Sequence, residues 1–493
     1  MHQFQKGCLA DIEKGKSGLL TAPTGSGKTL ALALPQIIKC KQGKNNKLTM
    51  IWLSPLRSLS KDLCNNINGT AIELSADFRA AIRNGDTPQK ERASIKKSPP
   101  QCLITTPETL HLLLAQKKSG SYFKHIQMVV VDEWHELIGS KRGVQTLLAI
   151  SQIKHYARNL SIWGISATIG NVQEAKNVLL HGVEGHKQSF IQAKLHKKLN
   201  FKTILPKEIN TYPWAGHLGI KLLNKTLPVI EKSNSTLLFT NTRSQTEIWY
   251  QNILDKKPEW AGLMAMHHGS LSRDIRNWVE DSLHRGKLKL VICTSSLDLG
   301  VDFAPVETVI QVGSPKGVSR LLQRAGRSGH RPGEPSNLYF LPTNALELIE
   351  SSALQLAIKH QAMENQKPYV NTFDVLVQFL ITLAVGDGFK EEELFERVKK
   401  VYTYQGITRE QWEWMLAFIV HGGQSLSSYN EFHKVEIEEG VFKVLSRRIA
   451  MRHRFSIGTI EGDSNFKIKL KKRPFRFLKP ERSKQKKIIL FLN

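Results

Sequence analysis

In Val129-Val130-Val131-Asp132-Glu133-Trp134-His135 a short apolar run ends abruptly in two acids, a Trp and a His. A buried parallel strand reads as continuous apolar residues, and ligands of open α/β sheets bind beyond the carboxyl ends of such strands. Carboxylates at that place can hold Mg²⁺ and activate a water molecule. A second segment, Gly18-Leu19-Leu20-Thr21-Ala22-Pro23-Thr24-Gly25-Ser26-Gly27-Lys28-Thr29, leads from an apolar stretch through a Gly-rich turn into helix-forming Leu30-Ala31-Leu32-Ala33-Leu34. Glycines let backbone N–H groups converge on phosphate oxygens, and the helix N-terminus behind them carries partial positive charge. Lys28 can reach β- and γ-phosphates, and the Thr29 hydroxyl suits Mg²⁺. The strict phosphate-loop pattern begins with Gly where this chain has Ala22. With Asp132 and Glu133, the segment points to nucleoside triphosphate hydrolysis.

Further along, Gln323-Arg324-Ala325-Gly326-Arg327-Ser328-Gly329-His330 sets two arginines three apart, on one face if helical. Arginine forks match phosphate geometry and neutralise charge in phosphoryl transfer, although a basic helix face is ordinarily just solvated. His267-His268 lacks a third residue at metal-ligand spacing, so a metal site is not expected there. Trp412 and Trp414 could stack on a base, with one of them expected in the core.

The elements that must position these residues alternate. In the first part, apolar strand candidates lie at 48–53, 102–105, 128–131 and 162–165; a second series lies at 236–239, 262–266, 289–293 and 308–312. Helix-like stretches at 244–254 and 272–283 fall between the latter. Such alternation implies βαβ units and parallel sheets. From about 349 the pattern changes to three helices, at 373–384, 391–401 and 408–421, then a β-like stretch from Gly422-Gly423 to Val444. That is the layout of a winged helix, with a helical spacer as the bland alternative.

A net charge of +27 points to a polyanionic partner, and nucleic acid is the commonest. Residues 447–493 hold 15 Lys/Arg against 3 Asp/Glu, yet the rest still carries +15. Five scattered cysteines without a Cys-x-x-Cys pair argue against a zinc ribbon, an iron–sulfur cluster or a disulfide framework. No apolar run approaches a membrane span, and no signal-peptide pattern opens the chain. A cytoplasmic, nucleoid-associated protein is expected.

In this order, the motifs resemble those of superfamily 2 helicases, and more narrowly the Lhr-type, ligase-associated DEXH-box helicases. The resemblance rests on 22–29, Pro55-Leu56-Arg57, Thr105-Thr106-Pro107-Glu108, Asp132 to Leu137 with 139–145, and Gly164-Ile165-Ser166-Ala167-Thr168. In the second half it rests on Phe239-Thr240-Asn241-Thr242-Arg243, His267-His268-Gly269-Ser270, 293–302 and 323–330. It implies an α/β fold: two RecA-like parallel-sheet domains in tandem, then a winged-helix domain and the start of a β-rich C-terminal domain. The implied units are an ATP-binding domain at 1–195, a helicase C-terminal domain at 196–348, a winged helix at 349–445, and a partial β-rich domain with basic tail at 446–493.

The same resemblance implies the site. Gln5 would read adenine, while Thr24, Gly25, Ser26, Gly27, Lys28 and Thr29 would cradle ATP phosphates. Thr29 and Asp132 would hold Mg²⁺, Glu133 would be the general base, and His135 would couple hydrolysis to the second domain. Ser166 and Thr168 would transmit closure; Gln323, Arg324 and Arg327 would complete the site across the cleft, with Gly300 and Asp302 near the ribose and γ-phosphate. Arg57, Thr106, Arg243 and Ser295 would grip a strand backbone. The implied activity is ATP-dependent 3′-to-5′ translocation on single-stranded DNA and unwinding of tailed duplexes in DNA repair, with a ligase and a nuclease as partner proteins. The alternatives are a nucleic-acid-binding protein whose motor is crippled, or an RNA helicase on the same engine. The family continues with further domains, whereas the resemblance fades after about residue 464 into a lysine-rich tail. A C-terminally truncated member is therefore expected, with a natural basic arm as the other reading.

Overall fold

The computed structural model describes residues 1–23, 26–42, 47–55, 59–167, 169–193, 198–206, 219–298, 306–329, 335–422, 434–458, 467–470, 473–474 and 489–492. The first sheet has seven strands: β1 (Ser17–Thr21), β2 (Met50–Leu53), β3 (Ala80–Arg83), β4 (Cys102–Thr105), β5 (Met128–Val131), β6 (Ser161–Ser166) and β7 (Gln188–Gln192). They lie in the order β3-β4-β2-β5-β6-β1-β7, with every pairing parallel. Alternate side chains enter opposite cores. Ile51, Leu53, Val129 and Val131 face one, and Met50, Trp52, Met128 and Val130 the other, as the period of two demands.

The second sheet has six strands: β8 (Leu199–Thr203), β9 (Thr236–Phe239), β10 (Met264–His267), β11 (Leu290–Cys293), β12 (Thr308–Val312) and β13 (Ser336–Leu341). Their order is β10-β11-β9-β12-β13-β8, again parallel throughout. Fully buried runs such as those of β4, β5, β9 and β12 match the sequence expectation end to end. Strands β3, β7, β8 and β13 were not anticipated: the first three lie at sheet edges, where one side is half-exposed and no continuous apolar run is needed, and β13, paired on both sides by β12 and β8, alternates buried and half-buried residues from Ser336 to Tyr339.

The winged helix is present as expected. Helices Phe373–Val385, Glu391–Lys399 and Arg409–His421 pack with an antiparallel sheet of β14 (Phe389–Lys390), β15 (Glu436–Glu438) and β16 (Val441–Lys443), in the order β14-β16-β15. Its core is continuous with one face of the first sheet, since Val375, Phe379, Trp412 and Phe442 share a cluster with Leu113, Val129 and Leu148. Polar ties reinforce the join: Asp387 accepts from Lys118 N–H (2.6 Å), and Lys141 pairs with Asp374 (2.8 Å).

The 446–459 stretch, expected to open the β-rich part, is instead helical at Arg447–Ser456, N-capped by Ser446. Ala450 and Ile457 bury into the winged-helix core, so tertiary packing decides the local structure. Strands appear beyond it, as β17 (Lys467–Leu470), β18 (Arg473–Pro474) and β19 (Ile489–Leu492), with β17 central.

Candidate active site between the two sheets

Strand β6 lies between β1 and β5, so the loops after three adjacent strands converge at one carboxyl edge. They carry the phosphate loop, Asp132 to His135, and Ser166-Ala167. Behind the first loop, Lys28 begins the helix Lys28–Gln42. Gly27 has φ +82°, and a Cβ there would meet Gln5 Nε2 at 2.8 Å, so glycine suits both the turn and the close approach. Gln5 donates from Nε2 to the Gly27 carbonyl (3.2 Å) and accepts from His2 N–H (2.8 Å), tying the N-terminal helix Gln3–Glu13 to this turn. The buried Ser26 hydroxyl oxygen has no hydrogen-bond partner among the described residues, as a group awaiting a ligand would.

Asp132 receives a hydrogen bond from Trp52 Nε1 (3.1 Å) and one from Glu133 N–H (2.9 Å). Burial and the neighbouring Glu133 charge push its carboxyl up, against the pull of Trp52 and Lys28. A hard cation beside this carboxylate would relieve both effects. One or two carboxylates with a hydroxyl and substrate phosphates are the oxygen set that Mg²⁺ prefers, so Asp132 and Thr29 fit it. Glu133 sits at φ 46°, a left-handed conformation costing a non-glycine residue about 1–3 kcal/mol. It is followed at once by the short helix Trp134–Leu137. Trp134 is fully buried and donates from Nε1 to the Ala175 carbonyl (2.9 Å), which anchors the turn from below.

His135 links three parts of the cleft. Its Nδ1 accepts from Ala167 N–H (3.1 Å), next to Ser166, while Nε2 meets the side-chain amide of Gln323 from the second domain. A backbone N–H only donates, so the neutral ring carries its proton on Nε2, and the Gln323 amide, whose nitrogen lies opposite, must turn over to present its oxygen as acceptor. Burial lowers the His135 pKa, against the pull of Glu133 and Glu136. Gln323 and Arg324 lie on the helix Val318–Ala325, just ahead of Arg327. Arg324 does not project across the cleft as expected. Its fork binds Asp298 through Nε (2.7 Å) and Nη2 (3.0 Å), Nη1 reaches Gln311, and the plane stacks over Phe239. At 2 % exposure it is internal structure of the second domain. Arg327 Nη2 donates to the Asp298 carbonyl (3.2 Å), so Asp298 organises both arginines.

On the second sheet, β11 lies between β10 and β9, and their carboxyl-end loops bring three polar groups together. Arg243, exposed at the start of the helix Arg243–Lys256, donates from Nη1 to Ser270 Oγ (2.8 Å), and Ser295 is exposed after β11. All three residues are exposed. Thr106 differs: it is 2 % exposed and caps the helix Pro107–Leu114 by accepting from Thr109 N–H. His267 is engaged by Ser296 (2.8 Å) and Glu280 (3.1 Å). Among the described residues, no His, Cys, Asp and Glu cluster has the geometry of a metal site. Trp412 is core and Trp414 is 61 % exposed, stacked on Phe418.

Three family models match in succession: DEAD/DEAH box helicase at residues 2–175, helicase conserved C-terminal domain at 219–332, and large helicase-related protein, winged helix domain at 356–475. Among curated relatives, ATP-dependent helicase Lhr-Core protein 2 of Thermococcus barophilus is 32 % identical, over 94 % of this chain and 56 % of its own length. ATP-dependent helicase Lhr-Core of Sulfolobus acidocaldarius is 31 % identical, over 94 % and 55 %. The solved Mycobacterium smegmatis helicase Lhr, bound to ssDNA and AMP-PNP, superimposes with a TM-score of 0.83 at 26 % identity, over 94 % of this chain and 60 % of that one. The chain belongs to the Lhr-type superfamily 2 helicases. It spans a little over half the length of these curated relatives.

In this Lhr-type chain Lys28, Asp132, Glu133, His135, Ser166 and Gln323 gather at one cleft. Thr24, Gly25, Arg57, Thr168, Gly300 and Asp302 lie outside the described residues. Sequence reasoning assigned no role to Trp52, Asp298 or Gln311, because a strand tryptophan or glutamine carries no motif signal. Asp298 stood inside a quoted motif, and a lone acid beside an arginine-rich helix was the available clue. No helix among the described residues is long and apolar enough to cross a membrane.

Proposed function

We propose that the chain is an ATP-dependent motor that translocates 3′-to-5′ on single-stranded DNA and unwinds tailed duplexes in DNA repair. The observation that carries this reading is the His135–Gln323 contact. It joins the loop bearing Asp132 and Glu133 to the arginine-bearing helix of the other domain. In this reading Lys28 and Thr29 hold the phosphates, and Gln5 contacts the adenine. Glu133 takes a proton from the attacking water, and Arg327 neutralises charge on the γ-phosphoryl group. Mg²⁺ at Asp132 would neutralise charge on the phosphate oxygens. His135 transmits the domain position to the water-activating loop, so hydrolysis follows closure.

The DNA preference rests on the bound ssDNA of the Mycobacterium smegmatis relative; polarity, repair role, and ligase and nuclease partners rest on the family resemblance. The test is steady-state ATP hydrolysis with and without single-stranded DNA, and with RNA of the same sequence. Stimulation by DNA is expected, and Glu133→Gln should lower kcat by about 10²–10⁴. Glu133→Gln turnover equal to wild type would remove the catalytic assignment. Equal stimulation by RNA would favour an RNA motor, and binding without turnover a crippled one.

A further inference from the structure

The helix Val318–Ala325 begins at a carboxylate that comes from well beyond the second sheet. Glu364 Oε1 accepts from Val318 N–H, and Oε2 accepts from Ser319 N–H (3.1 Å) and Ser319 Oγ–H (3.0 Å). The first N–H groups of a helix have no intrahelical partner and sit at the positive end of its dipole, so an ionised carboxylate is the fitting acceptor. Partial burial of Glu364 works against ionisation, yet the bonds from Val318 and Ser319 hold its carboxyl below the usual range.

The main chain of the same residue faces the first domain. Gly170 N–H donates to the Glu364 carbonyl (3.0 Å), and Asn171 makes a reciprocal pair with the Gln366 backbone, 2.9 Å in each direction. Gly170 lies just past Ser166-Ala167, the turn that bonds His135. The approach is close: a Cβ on Gly170 would sit 2.3 Å from Asn365 Oδ1 and 2.5 Å from the Met363 carbonyl oxygen. Glu364 therefore bonds the second domain through its carboxylate and the first through its carbonyl.

We propose that Glu364 is a positioning residue for ATP hydrolysis. The strap at 363–367 sets the distance between the loop after β6 and the helix that carries Gln323 and Arg324 and leads into Arg327. The proposal rests on the hydrolytic reading above. Glu364 touches no substrate in it and acts only through the helix it caps. Freed at its N-terminus, that helix would lose the axial position that brings Gln323 to His135, while the phosphate loop is left alone.

Two measurements on the full chain test this. Hydrogen–deuterium exchange at the start of Val318–Ala325 should accelerate about tenfold in Glu364→Ala and less in Glu364→Gln, whose amide oxygen keeps one acceptor. Steady-state hydrolysis with single-stranded DNA should show kcat about tenfold lower in Glu364→Ala, equivalent to ~1.4 kcal/mol, with KM for ATP within about twofold. Glu364→Gln should recover part of the loss. Gly170→Ala, which touches neither carboxylate nor phosphate loop, should reproduce the kcat loss by pushing the strap away. Unchanged exchange, unchanged kcat, or a loss confined to KM would overturn the proposal. A wild-type chain that hydrolyses no ATP would defeat the functional reading instead, and exchange would still decide whether Glu364 anchors the helix.

Discussion

Two arginines three residues apart make different contacts, Arg324 with the Asp298 carboxylate and Arg327 with its carbonyl. Arg324 satisfies a buried carboxylate, and its removal leaves Asp298, itself 4 % exposed, without its fork. Breaking a buried pair from one side costs about 3–5 kcal/mol, so Arg324→Ala should lower the Tm markedly, as thermal unfolding would record. Arg327→Ala should act mainly on turnover, with kcat reduced about 10³-fold or more if Arg327 neutralises the γ-phosphoryl charge. Similar stability loss in both variants would undo this division. The residue types and their spacing were legible in the sequence, but the division was not: a guanidinium fork matches the geometry of a carboxylate and of a phosphate alike, and only the fold shows which one it meets.

At the scale of elements, one glycine and one histidine report on packing. Gly143 lies in the first turn of the helix Lys141–Tyr156, where a Cβ would stand 2.1 Å from the Leu137 carbonyl oxygen. Gly143→Ala should therefore cost about 1–3 kcal/mol or more, because backbone cannot step aside as a side chain can. A Tm equal to wild type would show that the turn at 137–143 relaxes freely. His453, on the Arg447–Ser456 helix, bonds Thr382 Oγ1 (2.9 Å). Burial, then the charges of Lys434, His111 and Arg454, depress its pKa to about 4. The unfolded chain takes up this proton near pH ~6.5 and the folded chain does not, so stability is full above that pH. It should fall as pH drops from about 6.5 toward 4, by up to ~3 kcal/mol. His453→Gln should flatten that part of the Tm-against-pH curve, and an unchanged slope would remove His453 as the cause. This helix was read as the start of a β-rich domain from the family resemblance, and its Arg-rich pattern signals no core. Its few buried residues became visible only against the winged helix.

For the whole molecule, the continuous core between the first sheet and the winged helix makes these two one body, against which the proposed closure would move the second sheet. Closure then depends on a few contacts, His135–Gln323 and the bonds of Glu364 among them. With +27 net charge, affinity for single-stranded DNA should fall steeply with salt, by about 0.7 log units per tenfold salt for each phosphate neutralised. Titrations at several salt concentrations would check this, and a flat dependence would exclude a backbone-gripping edge at Arg243 and Ser295. Most of the buried strands and the phosphate-loop, Asp132-Glu133 and Gln323 to Arg327 residues were legible in the sequence alone, since burial on both faces demands continuous apolar runs and phosphate chemistry demands particular residue types; the interior strand β13 and the supporting Trp52, Asp298 and Gln311 were not. Tertiary structure alone decided which of those residues meet. Edge strands carry half a pattern, an arginine binds whichever anion it faces, and the Glu364 strap joins segments nearly two hundred residues apart, a contact that no local pattern encodes.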